Sequence, residues 1–303
     1  MLPDGNRLYL THGTTWEGGA HHLAWIDLDT GEPITGPLQP TEGFSVIRKI
    51  NGRLFAVWAD PTASFSSPVG YSYSDDNGQT WLHKLVGSHF HVLDIREYDG
   101  ALYLAGAGRV SGSGDTEYAT VWKSLDNGDT WERSLAVAGG NLTRVYSLLP
   151  AGGSLWCMVS GTDTPYKLEG DEWIARPDIP KQAGWEPVWR LFREGRVVEA
   201  GGVSYGTMGA FDGTRFLPSS SWNEVAPGYA DATHVYGVQL TAVNRIMRAP
   251  LIAPGSPGSV VVWEEWMPLD QGFRAQSVTY HNGYFYVGEF GGQVFRYPET
   301  GTV

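Results

Sequence analysis

The sequence predicts an all-β chain folded as a single β-propeller of four-stranded antiparallel blades. Three observations carry that expectation. A tight glycine-containing turn followed by an apolar strand recurs along the whole chain, about every 46 residues. An eight-residue turn, Ser-x-Asp-x-Gly-x-Thr-Trp, occurs twice, at 74–81 and at 124–131. No stretch is a convincing amphipathic helix, and strand signal follows strand signal with turns between.

Taken in order, the hairpin turns fall at Asp4-Gly5, Asn51-Gly52, Asp99-Gly100, Gly152-Gly153, Glu194-Gly195, near Gly237, and at Asn282-Gly283. Each precedes an apolar or aromatic opening such as Arg7-Leu8-Tyr9-Leu10 or Tyr284-Phe285-Tyr286-Val287. A second turn leaves a glycine three residues before a large apolar side chain: Gly31 before Ile34, Gly78 before Trp81, Gly128 before Trp131, Gly170 before Trp173, Gly213 before Phe216. Seven hairpins argue for seven blades in one domain over 1–303, with units beginning near 1, 44, 91, 144, 187, 233 and 273. Six blades with a shared closing blade is the alternative, because the first unit nearly lacks an innermost strand and the last stops before an outermost one. Pro250, Pro254, Pro257 and Pro268 predict an irregular unit between about 222 and 270, since proline breaks the ladder of a central strand.

The duplicated turn has a mechanism. The carboxylates of Asp76 and Asp126 can hold a tight loop by accepting nearby hydrogen bonds. Gly78 and Gly128 supply a backbone angle that other residues avoid. Trp81 and Trp131 open the next strand and bury a large ring. With Ser74, Thr80, Ser124 and Thr130 the two copies resemble the Asp-box, or BNR repeat. That resemblance implies a turn joining the two outer strands of a propeller blade, stapling structure away from the active face.

Composition excludes several functions. The chain has 303 residues, is 42% apolar, and carries 40 glycines and 13 tryptophans, which suits short strands and tight turns. Its net charge is −12, with no basic stripe, so nucleic acid is not an expected partner and an anionic membrane would repel it. No apolar run of about 18 residues is present, so no membrane insertion is expected. The start, Met1-Leu2-Pro3-Asp4-Gly5, lacks the features of an export signal. Cys157 is the single cysteine and lies in Leu155-Trp156-Cys157-Met158-Val159, which reads as a buried strand.

Long loops alternate with tight turns, which suggests one elaborated face. Trp16, Phe65, Tyr118, Trp185, Trp222 and Tyr229 fall in the stretches assigned to that face, as does Arg109. Aromatics beside carboxylates grip sugar rings and peptides, so these residues form the expected ligand surface. The plainer alternative is that each ring plugs a gap between blades.

Chemistry is less marked. Sialidases, which share the Asp-box, hold a substrate carboxylate with three arginines, the first in an Arg-Ile-Pro motif that is missing here. Arg109, Arg144 and Arg274 could face a channel, but their spacing does not select them. Other Asp-box glycosidases use channel-facing aspartates, for which Asp60, Asp115 and Asp231 are the candidates, beside an ordinary loop role. His89 and His91 share one face of a strand at a spacing metals accept, but no third ligand is identified, and no metal or cofactor is implied.

Three functions follow as expectations. The first is a non-catalytic binding or structural propeller. Its expected setting is a bacteriophage virion, as a tail-tip, fibre or minor tail protein touching host-surface glycan or protein, or a neighbouring virion protein; a homo-oligomer is compatible with it. The second is a glycoside hydrolase. The third is a cytoplasmic scaffold, similar to the Asp-box propeller that helps assemble photosystem II.

Overall fold

The computed structural model describes residues 1–11, 21–39, 44–58, 68–88, 91–109, 117–139, 143–160, 162, 164–179, 197–219, 224–240, 245–256, 260–269, 275–289 and 293–299. No helix occurs among them; every regular element is a strand.

Among the described residues twenty-seven strands form seven antiparallel sheets, each a meander of consecutive strands. The first holds β1 (Leu2–Asp4), β2 (Arg7–Leu10), β3 (His21–Asp27) and β4 (Pro33–Gln39). The second holds β5 (Phe44–Ile50), β6 (Arg53–Trp58), β7 (Pro68–Ser74) and β8 (Leu82–Ser88). The third holds β9 (His91–Tyr98), β10 (Ala101–Arg109), β11 (Glu117–Ser124) and β12 (Glu132–Gly139). The fourth holds β13 (Val145–Ala151), β14 (Ser154–Val159), β15 (Thr164–Glu169) and β16 (Glu172–Ala175). The fifth is shorter: β17 (Val198–Ala200), β18 (Val203–Gly206), β19 (Gly209–Phe211) and β20 (Phe216–Pro218). The sixth holds β21 (Val225–Ala230), β22 (His234–Gln239), β23 (Arg245–Pro250) and β24 (Glu264–Pro268). The seventh has three described strands, β25 (Ala275–His281), β26 (Tyr284–Glu289) and β27 (Val294–Pro298). Seven sheets rather than six decide the blade count.

The turns explain the register. At Asn51-Gly52, Asp99-Gly100 and Asn282-Gly283 both central residues have φ near +50° and +80°. That is the two-residue hairpin whose twist matches its strands, and few residues besides Asn, Asp and Gly adopt it.

Two turns lie elsewhere than expected. The fifth sheet turns at Gly201-Gly202, not at Glu194-Gly195, which fall outside the described residues. The sixth turns at Asp231-Ala232-Thr233, and its first strand begins at Val225, ahead of the start placed near 233. Gly237 is mid-strand in β22: a Cβ there would lie 2.7 Å from both the Ala226 carbonyl oxygen and Val225 Cγ1. In the sequence a glycine kept for close approach looks the same as a turn glycine, so the predicted repeat is offset from the observed one here. The sixth sheet keeps four strands, because Pro250 and Pro268 close β23 and β24 instead of interrupting them, but its register shifts at Pro227–Tyr229 and at Ile246–Met247.

The chain divides into two compact units. One comprises Leu2–Leu148 and Cys157–Arg176. The other comprises Met1, Leu149–Trp156 and Pro177–Val303. In the first unit Leu54, Phe55, Trp58, Tyr71, Val92 and Leu104 anchor a core of buried side chains. In the second, Tyr236, Val238, Ile246, Val278, Phe285 and Val287 do the same for sheets six and seven. Cys157 is buried and free, with its thiol pushed well up by burial.

The two Ser-x-Asp-x-Gly-x-Thr-Trp turns join β7 to β8 and β11 to β12, the third and fourth strands of their sheets. Their bonds match one for one. The Ser74 hydroxyl accepts from the Gly78 amide at 2.7 Å and donates to Asp76 Oδ1 at 2.7 Å; for Ser124, Gly128 and Asp126 both distances are 2.8 Å. Each Asp then accepts from the threonine amide, at 2.8 and 2.7 Å, and from its hydroxyl, at 2.6 Å in both copies. The Thr80 hydroxyl first, then its amide and the Ser74 hydroxyl, pull the Asp76 carboxyl down to about 2. Asp126 is pulled down in the same way.

Each turn is also gripped by the preceding sheet. The Tyr9 hydroxyl donates to the Asn77 carbonyl at 2.9 Å, and Arg7 Nη1 to the same oxygen at 2.8 Å. The Tyr71 hydroxyl donates to the Gly128 carbonyl, and Arg53 Nη1 to that of Asn127 at 2.7 Å. A Cβ on Gly78 would sit 2.3 Å from the Tyr9 oxygen, so glycine is needed for this approach as well as for its φ of 78°.

Candidate binding surface

The second unit carries the clearest ring surface, built where sheets six and seven meet. Tyr229, near the end of β21, lies between two other tyrosines. Its ring centroid is 5.8 Å from that of Tyr236 in β22 and 5.0 Å from that of Tyr280 in β25, each splayed by 31°. Tyr280 and Tyr236 both lean on Phe285, at 5.2 and 5.3 Å, and Tyr236 meets Trp266 edge-on at 6.4 Å. Tyr229, Tyr280 and Trp266 are half-buried, whereas Tyr236 is buried and backs the other rings.

The two outer hydroxyls are tied down. Tyr236 donates to Asp231 Oδ2 at 2.9 Å, and Tyr280 to Glu299 Oε2 at 2.5 Å. The Glu299 amide donates to the Gly283 carbonyl at 3.0 Å, which fixes that residue beside the β25–β26 turn. Burial first, then the bond to Asp231, push the Tyr236 hydroxyl up to about 12. Asp231 Oδ1 accepts from the amides of Thr233 and His234, at 2.6 and 2.8 Å, and from the Thr233 hydroxyl at 2.9 Å. Burial alone would raise this carboxyl, but those donors outweigh it and hold it at about 2. Beside the ladder, the Arg248 guanidinium stacks 3.8 Å from the Trp266 ring centre and pairs with Glu264 at 2.5 Å.

Of the residues expected to bind, Tyr229 is part of this surface. It stands at the hairpin-turn end of β21, not at the end of the sheet that carries the long loops to which the sequence assigns it. The connection between sheets five and six covers 219–224, and Asp231 sits with Tyr229 beside the hairpin turn. Tyr118 is half-buried in β11, opposite Gly108. Arg109 closes β10, with its side chain outside the described atoms. Trp16, Phe65, Trp185, Trp222, Asp60, Asp115 and His89 lie outside the described residues. Tyr236, Tyr280 and Trp266 were not anticipated. A signal existed: Tyr229 and Tyr280 each stand two residues before a hairpin turn, but the misplaced sixth turn hid the equivalence.

The first unit holds a polar cluster on its inner strands. Asp94 of β9 is fully buried. Its Oδ1 accepts from Arg48 Nε and Nη2, at 3.2 and 2.8 Å, and from the Ile95 amide at 2.9 Å. Its Oδ2 accepts from the Leu148 amide at 3.0 Å, with Arg96 Nε at 3.5 Å. With all its donors supplied by the protein, Asp94 pins β5, β9 and β13 together.

His91 opens β9, where burial and then the Arg144 guanidinium hold its imidazole down to about 3. The folded chain keeps His91 neutral where the unfolded chain takes up a proton near 6.5, so stability falls as pH drops from about 6.5 toward 3. His91→Gln is expected to remove this slope, which one proton limits to about 1.4 kcal/mol per pH unit. Urea midpoints between about pH 7 and 5 check it, and equal slopes in both proteins would refute it. Among the described residues no group of three or more His, Cys, Asp or Glu could hold a metal ion. No helix among them is long and apolar enough to cross a membrane.

Seven consecutive antiparallel meanders, with no helix among the described residues, define a β-propeller. Solved structures share that fold, among them these two. The chain is similar to YCF48 bound to D1 peptide, with a TM-score of 0.53 and 12% identity over 100% of this chain and 84% of that one. It is also similar to a candidate 6-phosphogluconolactonase from Bacteroides fragilis, with a TM-score of 0.51 and 12% identity over 93% of this chain and 88% of that one. No protein-family model and no curated protein sequence matches the chain. At this identity the likeness speaks for the fold, and function has to be argued from the site.

Proposed function

We propose that this propeller is a non-catalytic binding module that uses the Tyr229–Tyr280 surface to hold its partner. The observation that carries this reading is how the carboxylate at that surface is used. A glycosidase acid must keep its proton near working pH. Asp231 instead accepts four hydrogen bonds and is held at about 2, so it holds a turn and a tyrosine. Every described carboxyl with a displaced pKa is displaced downward: Asp27, Asp76, Asp126, Asp212 and Asp231. Anchored but half-exposed rings offer contact area at little entropic cost.

The two Ser-x-Asp-x-Gly-x-Thr-Trp turns support reading the chain as an Asp-box propeller, with the turns stapling the blades. The virion tail is the setting we propose for it, with host-surface glycan or a neighbouring virion protein as partner. YCF48, whose structure holds D1 peptide, is one instance of this fold with a polypeptide bound.

Joint replacement of Asp60, Asp115 and Asp231 by asparagine separates binder from hydrolase. Binding to an array of host-surface glycans and to immobilised virion proteins should be weakened by it, since Asp231 lies at the surface, but not abolished. Tyr229→Ala should weaken binding about tenfold, the worth of one aromatic contact. Glycoside hydrolysis by the wild type that the triple variant abolishes would sink the proposal.

A further inference from the structure

The same surface has an unsatisfied electrostatic feature that selects among partners. Asp231 and Glu299 stand at opposite ends of the tyrosine ladder, each accepting a hydrogen bond from a tyrosine hydroxyl. Neither has an ion-pair partner among the described residues. The middle hydroxyl, that of Tyr229, has no hydrogen-bond partner there either. After burial, the charges of Asp231 and then Glu299 raise the Tyr229 hydroxyl, so both carboxylates act on the central ring. Half-exposed rings bracketed by two unpaired carboxylates attract a cation through the ring quadrupole and through direct charge. A neutral sugar would gain nothing from the carboxylates beyond hydrogen bonds. The sixth sheet already holds one cation in this way: Arg248 lies on the Trp266 ring and pairs with Glu264. A chain of net charge −12 also favours a cationic partner at long range.

We infer that the half-exposed Tyr229 and Tyr280 rings, backed by the buried Tyr236 and flanked by Asp231 and Glu299, dock an arginine-bearing polypeptide segment of a partner protein. The guanidinium suits this place because it stacks on aromatic faces and forks onto carboxylates, which an ammonium does less well. This inference rests on the binding reading above and narrows it from glycan or protein to a cationic protein segment.

The test uses a fluorescent Gly-Arg-Gly-Arg-Gly peptide, its analogue with citrulline in place of arginine, and a neutral oligosaccharide, titrated by anisotropy into the intact chain. Citrulline keeps arginine's shape and loses its charge. Tyr229→Ala removes the central ring without changing the protein's charge. Glu299→Gln removes one carboxylate at an exposed position, and thermal melts verify that both variants fold. The arginine peptide is expected to bind the wild type, about tenfold more weakly after either substitution, and to weaken as salt rises. The citrulline peptide should not bind measurably. Equal affinity of both peptides, or of wild type and Tyr229→Ala for the arginine peptide, would overturn the inference. Binding of oligosaccharide or citrulline peptide that depends on Tyr229 but not on Glu299 would also overturn it, while leaving the surface a binding site. Loss of both readings would show as no ligand, on the glycan array or here, responding to Tyr229→Ala.

Discussion

Asp94→Ala is expected to destabilise the protein by about 3–5 kcal/mol, the cost of breaking a buried ion pair by removing one partner. Asp94 is fully buried, and its two oxygens collect Arg48, Arg96 and the Ile95 and Leu148 amides. Removing the carboxylate takes an ion-pair partner from the Arg48 guanidinium and an acceptor from the Ile95 and Leu148 amides. The pair itself need not be a large net gain over apolar residues; the penalty comes from what is left behind. Asp94→Asn keeps the shape and should cost less, since its amide oxygen can still accept from Leu148 or Arg48. Urea unfolding at neutral pH measures both, with unchanged slope as the sign that only stability moved. Midpoints equal to wild type for Asp94→Ala would remove this residue from the account of how the inner strands are held.

Truncating the tryptophan of either duplicated turn should have a comparable effect. Trp81→Ala and Trp131→Ala are each expected to cost about 3–5 kcal/mol, as large buried rings do. Trp81 is 9% exposed, meets Tyr9 edge-on at 6.2 Å, and donates to the Gly78 carbonyl at 3.3 Å. Trp131 is more open, so it should fall toward the lower end. It meets Tyr71 edge-on at 5.9 Å, and its indole N–H reaches both the Tyr71 hydroxyl and the Gly128 carbonyl at 3.1 Å. Each substitution therefore removes a ring and loosens the tyrosine that ties the turn to the sheet before it. Phenylalanine at either site should recover much of the loss, because the ring contact outweighs one net hydrogen bond. Wild-type melting behaviour for both alanine variants would show that these clasps do not hold the sheets.

The all-β class, the spacing of most hairpins and the internal wiring of the two duplicated turns are legible in the sequence. These depend on residues within a few positions of one another. Asn51-Gly52 selects its turn through backbone angles alone, and Ser74, Asp76 and Thr80 bond within a single loop. Where a local cue was ambiguous, as at Gly237, reading along the chain failed, because a glycine in a turn and a glycine under a neighbouring strand look alike.

Tertiary structure alone decided which side chains meet across sheets. Arg48 and Asp94 are 46 residues apart, Tyr9 and Asn77 are 68 apart, and Tyr229 and Tyr280 belong to different sheets. A repeat that brings equivalent strands side by side turns such distant positions into neighbours. It fixes which strands are adjacent but not the bulge and twist that aim each side chain. That is why a buried carboxylate and a tyrosine ladder emerge only when the strands are packed, while the turns that make the packing possible are written locally.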